Sequence, residues 1–261
     1  MQKTVGSNTY DARVYPNFTA YMNGVLVAFW EPQLVVADNA LETAYESYAK
    51  AYELDPKSAS KVKEGIESIA NEFRKNADNF FALQNYAKTG YSFEKSYDVL
   101  LHPAVNSIDT VSLYYAGMFY TFANEFDKGA ELLEKALGYG YEADGDTYYY
   151  LYFCYVGREQ NEKAKDILTE GIKKYPGNTR IVEGLVGIYS VVEGSDPSDI
   201  IPLVMESVEK EPDNALLWSG LGGIYLKLKD FPQAISAYQQ ALDIAPDDFY
   251  NQFRRGYTAI E

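Results

Sequence analysis

Apolar residues return along most of this chain at intervals of three and four, the spacing that gathers them on one side of a helix. From Ala215 the pattern places Trp218, Leu221, Gly222 and Tyr225 in one helical window and Ala234, Tyr238, Ala241 and Pro246 in the next. Lys229, Asp230, Phe231 and Pro232 break the pattern as a turn, with Pro232 at the start of the second helix, where its missing N–H costs little. The spacing predicts two antiparallel helices ended by Pro246. Gly222 and Ala234 fall where the two would cross, so that backbones approach and Trp218, Leu221, Tyr225 and Tyr238 fill the remaining space.

The same unit recurs upstream. Over 145–178 it is carried by Tyr148, Leu151, Tyr152, Tyr155, Ala164, Leu168, Gly171 and Pro176, with Gly157, Arg158, Glu159 and Gln160 as the turn. Over 179–214, Val182, Leu185, Val186 and Tyr189 precede Ile200, Val204, Ser207 and Pro212, across a longer turn with Gly194, Ser195, Asp196 and Pro197. Over 110–143, Leu113, Ala116, Gly117 and Tyr120 precede Gly129, Leu133 and Ala136. A copy at 17–56 sets Ala20, Gly24 and Val27 before an enlarged loop holding Glu31 and Pro32, then Ala44, Tyr48, Ala51 and Pro56. Between these lie a long amphipathic helix through Val62, Ile66, Ile69 and Phe73 and a truncated copy, 77–103, whose second helix stops early at Pro103. Residues 249–261 read as half a further copy acting as a polar cap, and residues 1–16 as an N-terminal extension.

Units of this length, with a Trp or Tyr, a Leu-Gly pair and a Tyr followed by Ala, an aromatic and a Pro, resemble the roughly 34-residue tetratricopeptide repeat over residues 17–261. The run Ala51-Tyr52-Glu53-Leu54-Asp55-Pro56, the Lys-rich helix from Lys61 to Lys75 and the Tyr-rich later copies are similar to tetratricopeptide proteins of Bacteroidetes bacteria, which look exported or envelope-associated and have no assigned role. The resemblance implies an all-α fold, a right-handed α-solenoid of helical hairpins forming one domain. It also implies a non-catalytic protein–protein interaction module or scaffold, whose first helices line a concave groove for a peptide segment of a partner.

Residues about 100 degrees round each first helix from the hairpin core would face that groove. On this logic Tyr114, Met118 and Phe122 line it in one repeat and Tyr149 and Phe153 in the next, with Phe81 and Asn85 upstream and Arg180 and Glu183 downstream. Tyr120, Tyr155, Tyr189 and Tyr225 hold signature positions and read as core. Any single groove ring could equally pack between neighbouring hairpins, but five large apolar side chains on one face make an interaction patch. Asn85, Lys88 and Arg180 are the candidates for the carboxylate clamp with which some tetratricopeptide domains grip chaperone tails.

Charge narrows the partners. With 23 Lys and Arg against 38 Asp and Glu the chain carries −15, a field that repels nucleic acid and favours neutral or basic segments of protein. One Cys and one His exclude an internal disulfide, a Cys/His zinc cluster and paired-histidine metal sites, so neither a metal nor a cofactor is expected. Cys154 reads as a small buried apolar residue, His102 as a helix-end histidine, and Asp144 and Asp146 as helix-capping acids without the ligands of a calcium loop. Asn17, Phe18 and Thr19 form a glycosylation sequon, meaningless in a bacterial cytoplasm. No apolar run approaches the roughly 18 residues of a membrane helix and no leader is evident, so the chain as written carries no address. The 25 Tyr suit contact surfaces as well as cores, and an envelope protein stacking glycans on a Tyr-rich face is the alternative to peptide binding. A carboxylate-pair enzyme is the third class, with no pair singled out by an apolar setting.

Overall fold

A computed structural model describes residues 2–14, 18–24, 26–32, 39–189, 192 and 195–260, which leaves Asn17 of the sequon and Gly194 outside the described residues. The chain divides into two compact units, Met1–Tyr141 and Glu142–Glu261.

The first unit opens with an antiparallel meander, β1 (Gln2–Val5), β2 (Asn8–Val14), β3 (Phe18–Asn23) and β4 (Leu26–Pro32), paired in sequence order. This corrects the helical reading of residues 17–32: Ala20 lies in β3, Gly24 in the turn, and Val27, Glu31 and Pro32 in β4. The reason is local. The segment from Phe18 to Trp30 is rich in β-branched and aromatic residues and is interrupted by Asn23-Gly24, a hairpin signal. Gly24 sits at φ +62 with nothing near the place of a Cβ, so its role is the turn itself. Lys3 and Tyr21 both bond Glu31. Burial opposes charge on Glu31, yet those two bonds hold its carboxyl below the usual range.

Helices follow. α1 (Ala40–Leu54) and α2 (Ala59–Ala82) form the first pair, and their packing buries Val62, Ile66, Ile69, Ala70 and Phe73 against Val99 and Leu100. The long amphipathic helix therefore reaches past Lys75 and includes Phe80 and Phe81. Next come α3 (Tyr86–Leu100), α4 (Thr110–Phe122) and α5 (Phe126–Gly138). The second unit holds α6 (Asp146–Gly157), α7 (Asn161–Lys174), α8 (Thr179–Ile188), α9 (Ile201–Lys210), α10 (Ala215–Lys227), α11 (Phe231–Ile244) and α12 (Phe249–Thr258). Each unit is thus made of antiparallel helical hairpins that follow one another in sequence, the expected all-α architecture, with the sheet as a small addition to the first.

Four hairpin turns close in one way. Gln84, Asn124, Glu159 and Lys229 take positive φ between 56 and 60 degrees. The next residue then donates its N–H five residues back: Asn85 to Phe80, Glu125 to Tyr120, Gln160 to Tyr155 and Asp230 to Tyr225, at 2.8 to 2.9 Å. This satisfies a helix-end carbonyl and reverses the chain within two residues. Four first helices begin at side-chain caps, where Asp109 accepts from the Ser112 N–H, Asn178 from Arg180 and Ile181, Asn214 from Leu216 and Asp248 from Asn251, whereas α6 starts at left-handed Gly145 without one, and neither Asp144 nor Asp146 caps it.

Within each hairpin the small residues lie at the crossing. A Cβ on Gly117 would stand 2.6 Å from Leu133 Cγ, and one on Gly222 2.8 Å from the ring of buried Tyr238. The next glycine, Gly223, has room, its nearest neighbour being the Tyr238 hydroxyl at 3.9 Å. Tyr120 and Tyr155 are buried as expected, whereas Tyr189 and Tyr225 are half-buried. Cys154 is fully buried, and His102 is buried with its Nδ1 accepting the Ala104 N–H at 3.1 Å and its ring edge-on to Tyr52. Adjacent substitutions should therefore diverge in thermal melts. Gly222→Ala should destabilise by about 1–3 kcal/mol through overpacking, while Gly223→Ala should stabilise by about 0.5–1 kcal/mol through reduced backbone freedom in the unfolded chain.

Candidate functional site

The sequence of α4, Thr110-Val-Ser-Leu-Tyr-Tyr-Ala-Gly-Met-Phe-Tyr-Thr-Phe122, is apolar on every side, so all its faces compete for cover. One face, with Leu113, Ala116, Gly117 and Tyr120, is buried. Tyr120 hydroxyl donates to Glu94 at 2.6 Å and accepts from Lys128 at 2.7 Å, while the Lys128 ammonium stands 4.3 Å from the ring centroid. Burial first, then the Glu94 bond, push the Tyr120 phenol far above its ordinary range.

A second face carries Tyr115 and Phe119 towards α2 and α3. Phe119 is buried at the centre of a ring cluster: Phe81 at 5.4 Å between centroids, Phe93 at 5.9 Å and nearly parallel, Phe122 at 5.9 Å and Tyr86 at 6.3 Å. Tyr115 stands 5.3 Å from Phe93. The outer rings stay open to solvent, Phe81 by 53%, Phe122 by 45% and Tyr115 by 37%, which makes the cluster an apolar surface as well as a core. Beside Phe81 and Tyr115 lies a cleft of about 510 Å³, lined by these two rings, Phe93 and Phe119 and by Arg74, Asp78 and Asp109; Phe122 stands outside it, against Phe119. Arg74 donates to Asp109 Oδ2 at 2.5 Å and to Asn71 at 2.8 Å.

The expected site residues separate. Phe81 and Phe122 meet round Phe119. Tyr114 is corrected to the interior: it is buried, with its ring 5.3 Å from both Tyr115 and Tyr141, because an apolar helix buries whichever face its neighbours cover. Asn85 is a helix cap, its Oδ1 accepting the Lys88 N–H at 3.1 Å, and the Lys88 ammonium lies 5.2 Å from the Phe80 ring. Met118 is half-buried and does not line the cleft. Phe93, Tyr115, Phe119 and the three charged residues were missed. The signal available was the solid apolar character of α4, which warned that no single face could be chosen by counting.

The second unit holds its own aromatic surface. Tyr149 packs edge-on against Phe153 at 4.9 Å and lies 6.2 Å from Tyr152, and Phe153 is 40% exposed. The Arg180 guanidinium stands 6.0 Å from the Tyr149 ring and donates to Asp146 Oδ2 at 2.6 Å. Glu183 is exposed, and after burial it is the next influence raising the Tyr149 phenol. Behind this surface Tyr148, Lys174 and Tyr175 converge on Glu142, with Lys174 at 2.8 Å and Tyr148 at 3.2 Å. The bond to Glu142 leads in pushing Tyr175 up to about 12, and the bonds from Lys174 and then Tyr175 hold the Glu142 carboxyl below its ordinary 4.5.

Among the described residues no cluster of His, Cys, Asp and Glu could hold a metal, and no helix is long and apolar enough to cross a membrane. The hairpins, their turns and their crossing residues define a protein built of repeated antiparallel helical hairpins. Residues 215–248 match the family pattern of the tetratricopeptide repeat. Among solved structures the chain is similar to YrrB, "a TPR protein with an unusual peptide-binding site", at 20% identity over 82% of this chain and 100% of that one, TM-score 0.49. It is also similar to TTC0263, a thermophilic TPR protein of Thermus thermophilus, at 17% identity over 74% and 100%, TM-score 0.48. A third is a TPR repeats protein from Bacteroides fragilis, at 14% identity over 73% and 98%, TM-score 0.42. No curated protein matches the chain.

Acid should loosen the Glu142 network. A carboxyl whose folded value is depressed contributes stability that is present above its unfolded value and is lost as pH falls through the folded one. Melting of the wild type should therefore fall more steeply below about pH 4.5 than that of Glu142→Gln, which lacks this titration. Parallel curves would remove Glu142 from the account.

Proposed function

We propose that the protein is a non-catalytic interaction module that holds a segment of a protein partner against exposed aromatic surfaces, at Phe81 and Phe122 in the first unit and at Tyr149 and Phe153 in the second. The tetratricopeptide fold is that of protein-interaction modules in general, and a fold by itself does not choose the site. The observation that carries the reading is the cleft of about 510 Å³ beside Phe119. Its size falls in the range of sites that enclose a small ligand or a few side chains. Its rings are large, rigid and partly exposed, the side chains that dominate the energetics of protein contacts. Arg180 and Glu183 give the second surface a charged edge suited to a polar rim.

Selection from a random peptide library on the immobilised full chain tests the reading, with the double variant Phe81→Ser/Phe122→Ser as the control. The variant should keep its helical circular dichroism and melt within about 4 °C of the wild type, because both rings are substantially exposed. Peptides enriched by the wild type should be lost on the variant. Enrichment of the same peptides by both would move binding away from the first unit, and the double variant Tyr149→Ala/Phe153→Ala would then show whether the second unit carries it.

A further inference from the structure

The cleft beside Phe119 holds more than rings, and its charged groups are unequal. Asp109 is fully engaged: Oδ1 accepts the Ser112 N–H at 3.0 Å, and Oδ2 accepts the Ser112 hydroxyl at 2.7 Å and Arg74 at 2.5 Å. Arg74 is likewise committed, to Asp109 and Asn71. Their charges cancel in place. Asp78 differs, for it lines the same cleft, is exposed, and makes no hydrogen bond or ion pair among the described residues. The cleft thus presents one net negative charge beside the rings of Phe81, Phe93, Tyr115 and Phe119.

We propose, resting on the peptide-binding reading above, that this cleft is a receptor for one arginine side chain of the partner segment. The fit is one of charge and shape. A guanidinium is planar and weakly hydrated for a cation, so it lies on aromatic faces at little desolvation cost while its fork of N–H donors meets a carboxylate. Its three-carbon stem covers apolar wall on the way in. Phe81 and Tyr115 offer the open ring surface at the cleft, Phe93 stacked on buried Phe119 forms its floor, and Asp78 supplies the acceptor. A lysine ammonium, compact and strongly hydrated, would gain less from the rings, and an acidic side chain would meet Asp78 unscreened. The chain's −15 draws the same sign of partner from a distance.

The test uses the full chain and the peptides that it enriches from the random library. Arginine should recur at one position flanked by apolar residues. Replacing that arginine by citrulline, which keeps the shape and removes the charge, should weaken binding to the wild type by about tenfold and to Asp78→Asn by less than about twofold. Replacement by lysine should weaken it by an intermediate factor. Asp78 is exposed and unpaired, so Asp78→Asn should melt with the wild type. Enriched peptides that depend on Phe81 and Phe122 but show no arginine preference would overturn the arginine assignment and leave the peptide reading standing. An arginine preference that Asp78→Asn retains in full would overturn it as well. The same peptides enriched by the Phe81→Ser/Phe122→Ser control would overturn the arginine assignment and move the peptide reading to the second unit, and no enrichment by the wild type at all would overturn both.

Discussion

Two helices can share an apolar face only as closely as the residues at their crossing permit, and in this protein that permission is given by glycine. Gly117 lies against Leu133 and the Gly129 carbonyl, Gly171 against Tyr148 and Gly222 against Tyr238, each with less room than one methyl group needs. Close crossing lets a single large ring, Tyr120 over Gly90 or Tyr238 over Gly222, fill the space between helices, and the Tyr120 hydroxyl still reaches a polar edge. The turn chemistry follows from the same demand. A two-residue reversal with one left-handed residue keeps antiparallel helices at the short distance that the glycines allow, and four hairpins use it.

Aromatic content leaves these hairpins with more ring surface than they bury. A helix as apolar as α4 cannot bury all its sides against two neighbours, and its leftover rings Tyr115 and Phe122 join Phe81 of α2 in a surface around buried Phe119. The surface costs solubility, which the net charge of −15 offsets. In the second unit a similar surplus appears along α6, where Tyr149, Tyr152 and Phe153 follow one another and Arg180 lies over the first. Both surfaces are braced from behind by ion-and-phenol networks, Tyr120 with Glu94 and Lys128 in one unit and Tyr148 with Glu142 and Lys174 in the other.

Helical hairpins from Thr110 onwards were legible because the crossing residues and the polar breaks both recur at one period. The left-handed turn residues were not, since Gln84, Asn124, Glu159 and Lys229 share no side-chain chemistry that prefers positive φ. The N-terminal sheet was missed for a related reason: Ala20, Gly24 and Val27 satisfy a helical count, but the β-branched and aromatic residues around Asn23-Gly24 decide the matter, and a small-residue template ignores them. Exposed aromatics were foreseen as a class, yet their assignment to faces succeeded only in part. Phe122, Phe153 and Phe81 are open, whereas Tyr114 is interior and Tyr115, its neighbour, is the exposed ring. Periodicity chooses a face only where polar residues mark the opposite one, and of the three in α4, Thr110, Ser112 and Thr121, the last two are themselves buried.

The binding proposed for the first unit requires three rings in contact, with Phe119 closed to solvent and Phe81 and Phe122 open. Fluorine labelling of phenylalanine, with resonances assigned by single substitutions, reports this directly when a soluble nitroxide is added to the full chain. Strong broadening of Phe81 and Phe122 with a sharp Phe119 signal is the predicted result. Equal protection of all three would mean that the cleft is closed core and that the interaction surface lies elsewhere.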